Sequence, residues 1–320
     1  MSALTTSAAA GPGRVCPLDY FYEPAEFARQ AESRAEVLYV VGGLYGNLAS
    51  LDAIETLANA ESLPTTIVFN GDFHWFDAER DWFNVIDQRV SCYSAIRGNV
   101  ETELSRDRDI GAGCGCAYPE CVSETLVERS NAILRALREV ATPEQAERLT
   151  RLPMHRVIEV GGLRVGIVHG DATSLAGWGF AHDRLDDPRA RIRLRALQRV
   201  SHVDIFASSH TCLAAMAELS GPNRLTIVNN GAAGMPNFSG SRFGIITRIA
   251  VQTSPYPSLY GMARDGVSVD AIAVPYDTEI FLERFLARWP AGSPAHISYF
   301  GRIVEGPDHS IAAATLYAQP

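Results

Sequence analysis

Four side chains able to bind a metal ion stand at matched places in the chain, each just beyond an apolar, strand-like run. They are Asp72 in Asn70-Gly71-Asp72, Asn99 in Arg97-Gly98-Asn99, His169 in Val168-His169-Gly170 and His210 in Ser209-His210-Thr211. One carboxylate, one amide oxygen and two imidazoles suffice for an ion, and the mixture suits Zn, Mn or Fe, with geometry and supply choosing among them more than affinity. A divalent transition metal held this way polarises a phosphoryl oxygen and lowers the pKa of a bound water. Near Asp72 stands His74, open to four readings: an acid, an additional ligand, a substrate contact, or a histidine hydrogen-bonded in the rim. Trp75 and Phe76, which follow, could stack on a nucleobase or belong to the core.

Two further stretches carry chemistry. Residues 111–121 read Gly-Ala-Gly-Cys-Gly-Cys-Ala-Tyr-Pro-Glu-Cys, so Cys114 and Cys116 lie in a glycine-rich segment soon after Asn99. The glycines permit close backbone approach, and the thiols are soft ligands. The spacing is not a recognised zinc pair, which leaves a flexible loop over the site, thiolate ligation or a redox pair. Residues 184–200 hold Arg184, Arg189, Arg191, Arg193, Arg195 and Arg199. Arginine suits bidentate phosphate contacts, but these spread around a helix and read as a solvated, charge-paired surface.

Elements must carry these side chains to one place. Apolar, β-branched runs at 37–41, 65–69, 93–96, 156–160, 163–168, 203–206, 225–228, 243–251 and 267–274 predict strands. Helical patterns at 47–60, 81–88 and 121–139 alternate with the early strands, which predicts parallel βαβ units. The later strands follow one another across short turns, which predicts antiparallel pairing in a second sheet. Ligand-type residues that follow strands collect at the carboxyl edge of an open α/β sheet.

Residues 1–15 read as a frayed tail rich in small residues, and 16–320 as a single domain. The 320-residue chain is 47% apolar and carries a formal charge of −9, which disfavours broad nucleic-acid binding driven by counterion release. No apolar run is long enough for a membrane span, and the first 15 residues lack the pattern of a secretory signal, so a cytoplasmic location with six reduced cysteines is the expectation. An oligomer is compatible with the sequence.

The order and type of these segments resemble the calcineurin-like metallophosphoesterases, especially their small prokaryotic phosphodiesterase-type branch, over about residues 37–290. Gly46-Asn47-Leu48 resembles the start of the helix after the first motif, and the segments of Asp72, Asn99, His169 and His210 resemble the second to fifth motifs. Asn229-Asn230-Gly231-Ala232 and Tyr276-Asp277 resemble later features of the domain. The resemblance implies a four-layer α/β/β/α sandwich and two adjacent metals. Asp72, Asn99, His169 and His210 match the complete ligand set of one position, whereas the other would draw on positions held here by Gly43, Tyr45 and Cys212. Tyr45, Cys212, Cys114 and Cys116 are then substitute ligands, or Tyr45 and Cys212 simply fill the vacated volume.

Many relatives carry a leaving-group histidine where this chain has Val100, which leaves His74, Asp171 or water as the acid. The expectation is hydrolysis of a small phosphate monoester or diester, of nucleotide type among others, by a metal-activated water with one ion retained. The alternative is a weak or inactive relative that binds a nucleotide or a protein partner.

Overall fold

The computed structural model describes residues 11–220 and 224–316. Its strands are β1 (Ser33–Ala35), β2 (Val37–Val41), β3 (Thr65–Asn70), β4 (Ser94–Ile96), β5 (His155–Val160), β6 (Leu163–Val168), β7 (Ile205–Ser208), β8 (Ala215–Leu219), β9 (Leu225–Asn229), β10 (Gly244–Ala250), β11 (Ser258–Arg264) and β12 (Val267–Val274). They form two six-stranded sheets, ordered β11-β12-β10-β2-β3-β4 and β1-β5-β6-β7-β9-β8.

The period-2 alternation of side chains builds the layers. Val37, Tyr39 and Val41 of β2 enter an outer core with α1 (Leu48–Asn59) and α2 (Arg80–Val90), whereas Leu38 and Val40 enter the core between the sheets. β10 divides likewise, Ile246 and Ala250 outward and Ile245 and Ile249 inward. On the far face of the second sheet Val157, Val168 and Phe206 pack with Phe180 and Leu185. Two sheets face to face, each covered outside by helices, make the α/β/β/α sandwich.

The predicted parallel start is present, with β2, β3 and β4 parallel. The second sheet departs from the antiparallel expectation: β6, β7 and β9 are parallel at its centre, and only the β5–β6 and β8–β9 pairs are antiparallel hairpins. The helix following β6 supplies the crossover that a parallel pair needs. Part of the expected tail is also anchored. The Gly13 amide donates to the Ala112 carbonyl at 2.7 Å, and Arg14 bonds Glu124 and the Pro119 and Val122 carbonyls. Residues 1–10 lie outside the described residues. No described helix is long and apolar enough to cross a membrane.

Candidate metal centre

Strands β3, β4, β6 and β7 end at Asn70, Ile96, Val168 and Ser208, and the four proposed ligands follow these ends. Asn99 opens α3 (Asn99–Leu104). All four side chains are buried. The His169 Nε2 atom lies 3.3 Å from Asp72 Oδ2, 3.0 Å from Asn99 Oδ1 and 3.1 Å from His210 Nδ1. One atom each from Asp72, His169 and His210 falls within 4.8 Å of the others, a spacing that one ion can bridge.

Backbone carbonyls set which atoms face inward. His169 Nδ1 donates to the Asn70 carbonyl at 2.8 Å, leaving Nε2 as its lone-pair nitrogen. His210 Nε2 donates to the Cys116 carbonyl at 3.0 Å, leaving Nδ1. The Asn99 amide donates to the Cys114 carbonyl at 2.9 Å, which turns its oxygen toward the cluster. Such outer hydrogen bonds fix tautomer and ring orientation in metal sites. Two imidazole nitrogens, an amide oxygen and a carboxylate converging on one point make a donor set suited to a transition metal.

The charge balance agrees. Burial and the neighbouring His169 charge push the His210 imidazole down to about 3, so it stays neutral. Burial disfavours charge on His169, but the Asp72 carboxylate outweighs it and raises the imidazole above its ordinary value; the same attraction holds Asp72 below the usual carboxylate range despite its burial. A proton and a cation therefore compete for the His169 Nε2 lone pair.

Close approach of two loops brings Asp72 into place. A Cβ on Gly98 would lie 2.3 Å from Asp72 Oδ1, so only glycine fits there. Asp72 itself is left-handed, with φ of 51°. That turn is held by Glu101, a fully buried carboxylate on α3 that accepts the backbone amides of Gly98 and Asp72 at 2.8 Å, Phe73 at 3.0 Å and His74 at 3.3 Å. The reach from Glu101 back to Gly98 is a three-residue helix-start contact, readable in Gly98-Asn99-Val100-Glu101, although its function as a clamp on 72–74 was not.

The other sequence candidates go elsewhere. His74 is fully buried, stacked on Phe83 at 3.7 Å between ring centroids, with Nδ1 2.5 Å from Asp77 Oδ2, and it is absent from the cavity wall. Asp171 spends Oδ1 on the amides of Thr173 and Ser174 and the Thr173 hydroxyl, and Oδ2 on the Gly179 amide, so it shapes its own loop and does not line the cavity. The sulfurs of Cys114 and Cys116 lie against each other. Their stretch is a buried brace whose carbonyls orient Asn99 and His210, and neither sulfur joins the ligand cluster. Phe76 is core against Phe281 and Phe285, whereas Trp75 lines the cavity. None of the arginines at 184–199 lines it.

The position assigned by resemblance to a second ion is filled. A Cβ on Gly43 would lie 2.5 to 2.6 Å from three atoms of the Tyr45 ring, and Gly43 has φ of 33°. The Tyr45 hydroxyl meets Cys212 Sγ at 2.8 Å, and burial raises the pKa of both groups. Gly43→Asp alone is expected to cost about 1–3 kcal/mol by overpacking. Adding Tyr45→His should recover part of this in chemical denaturation, and equal losses in single and double variants would refute the ring as the obstacle.

The cavity at the cluster measures about 230 Å³. Asp72, Asn99 and His210 form part of its wall, with Tyr45, Trp75, Tyr118, Trp178, Tyr299 and Arg302 around them. Tyr118 falls in the cysteine-rich stretch already singled out, but nothing in the sequence marked Trp178, Tyr299 or Arg302. The last two lie on the helix Pro294–Glu305, beyond every recognisable motif.

No family model matches the chain, and no curated protein does. Solved structures do. A metallophosphoesterase from Sphaerobacter thermophilus is similar at 15% identity and a TM-score of 0.55, over 85% of this chain and 100% of its own. A hypothetical protein from Pyrococcus horikoshii OT3 is similar at 18% identity and a TM-score of 0.58, over 85% of this chain and 99% of its own. Paired six-stranded sheets, outer helices and these likenesses together identify the architecture of the chain as the calcineurin-like metallophosphoesterase fold.

Proposed function

We propose that the protein is a metal-dependent hydrolase of small phosphate esters, monoester or diester, with one divalent transition metal held by Asp72, Asn99, His169 and His210. The observation that carries this reading is the convergence of four donor atoms, three of them oriented by backbone carbonyls, beside a cavity that Asp72, Asn99 and His210 help to line. Likeness in fold to a metallophosphoesterase supports it. A bound Zn, Mn or Fe ion would supply Lewis acidity and a water of lowered pKa as nucleophile.

The chain's own residues define the rest. Asp72 brings the negative charge that balances the ion, and the Cys114 and Cys116 carbonyls keep Asn99 and His210 aimed. Trp75, Tyr118, Trp178 and Tyr299 give the organic part of the substrate an apolar, largely aromatic wall. At about 230 Å³ the cavity lies below the usual 300–1,000 Å³ of small-molecule sites, which favours a compact ester. Among the described residues no histidine or carboxylate outside the ligand set lines it, so substrates whose leaving group departs without a strong general acid fit best.

The test is metal analysis of the purified protein together with phosphomonoester and phosphodiester reporters in Mn²⁺, Zn²⁺ and Fe²⁺. The expected result is one ion per chain and faster turnover of aryl than alkyl esters. Stoichiometric metal with no turnover of any ester would sink the hydrolase reading and favour a binding protein, an alternative supported by the filling of the second position by Tyr45 and Cys212.

A further inference from the structure

The cavity wall contains a cation without a carboxylate partner. Arg302, half-buried on the helix Pro294–Glu305, donates from Nη2 to the Cys212 carbonyl at 2.7 Å and from Nε to the Pro236 carbonyl at 3.3 Å. Three other inward-lying arginines are neutralised, Arg248 by Glu61 at 2.7 Å, Arg264 by Asp204 at 3.0 Å, and Arg106 by Glu103 at 2.7 Å and Asp19 at 2.8 Å, whereas half-buried Arg97, Arg164, Arg191 and Arg288 resemble Arg302 in bonding carbonyls but do not line this cavity. No described carboxylate forms an ion pair with Arg302. Taking a guanidinium partly out of water without an opposing charge is unfavourable, and a bound anion relieves it.

The two carbonyls hold the guanidinium fork in place and leave Nη1 without an acceptor among the described residues. The Cys212 carbonyl also ties Arg302 to the short backbone segment that carries His210, so the cation is referenced to the ligand cluster rather than to a loose surface. A fixed guanidinium with a free N–H edge is suited to phosphate, where its hydrogen bonds are charge-assisted.

We propose that Arg302 is the anion-binding residue of this cavity and grips the phosphoryl oxygens of the substrate opposite the metal ligands. The inference rests on the hydrolase reading for its substrate, but its test does not require turnover. The probe is inorganic phosphate, its Kd measured by calorimetry on the metal-loaded full chain, alongside KM and kcat on an aryl phosphate. Arg302→Gln removes the charge and the outer fork while keeping an amide near the position of Nε, which faces the Pro236 carbonyl, and Arg302→Lys restores the charge without the fork.

Loss of one charge-assisted contact predicts a rise of about 10- to 100-fold in the phosphate Kd for Arg302→Gln, with the metal stoichiometry unchanged and partial recovery in Arg302→Lys. An unchanged phosphate Kd in Arg302→Gln, loss of metal in both variants, or no phosphate binding by the wild type would each overturn the assignment. Phosphate binding that depends on Arg302 in a protein without turnover would uphold Arg302 and reject the hydrolase reading.

Discussion

Asp72→Asn is expected to lower ester turnover by about 1,000-fold or more, the equivalent of losing ~4 kcal/mol of transition-state stabilisation by the metal site. The substitution is nearly isosteric, so the steric demand at Gly98 is unchanged, while the only carboxylate of the ligand cluster disappears. Two imidazoles and two amide oxygens hold a divalent ion far less firmly than a set containing an anion. The loss should therefore be visible before any assay. Metal should be absent or substoichiometric after dialysis, and the rise in unfolding temperature that added metal gives the wild type should vanish, because stabilisation by a ligand follows its affinity for the folded state. Turnover within about tenfold of wild type, with a full complement of metal, would show that the ion sits elsewhere or is not the catalyst.

The parts of this site that sequence reveals are those whose position follows from the period of a strand. Asp72, Asn99, His169 and His210 each come directly after β3, β4, β6 and β7, and parallel strands deliver their carboxyl ends to one edge. The strands that escape prediction lack that signal. β1 has three residues, β8 reads Ala-Met-Ala-Glu-Leu, a composition that favours helix, and β11 carries an internal Gly261 with a register shift between Ser258 and Tyr260. Their pairing comes from neighbours, not from local propensity.

His74 and Asp171 escape for a different reason. Proximity in sequence to a ligand suggests proximity in space, but Gly71 and Asp72 are both at positive φ, and the clamped turn beyond them delivers His74 to the core beside Phe83. Asp171 closes a loop with four hydrogen bonds that no periodicity reports. The stretch around Cys114 and Cys116 looked like chemistry of sulfur, yet what it contributes to Asn99 and His210 is backbone carbonyl, which every residue has and no motif records. Tyr299 and Arg302 reach the cavity from a C-terminal helix that contacts α4 (Glu124–Arg138), a tertiary event with no local signature.

Glu101 carries the second large expectation. It occupies the N-terminal turn of α3, where the helix dipole favours a negative charge, and its two oxygens accept four backbone amides from 98 and 72–74. Those donors are buried with it, and water would not readily replace the carboxylate. Glu101→Ala should therefore cost about 3–5 kcal/mol in chemical denaturation, the range for leaving a buried polar network without its central partner. Glu101→Gln is the discriminating variant. It retains the shape but turns an NH₂ toward donors, so repulsion replaces attraction at one of the two oxygens, and it too should be strongly destabilised. Because the clamp also holds Asp72 at positive φ, metal affinity in any folded fraction should fall by about 10- to 100-fold, as for other residues that orient ligands without touching the ion. A loss below about 1 kcal/mol in Glu101→Ala would mean that the turn is held by its own backbone geometry and by Gly98, and that the carboxylate is a passenger. A large stability loss with unchanged metal affinity would separate the two functions and assign Glu101 to the fold alone.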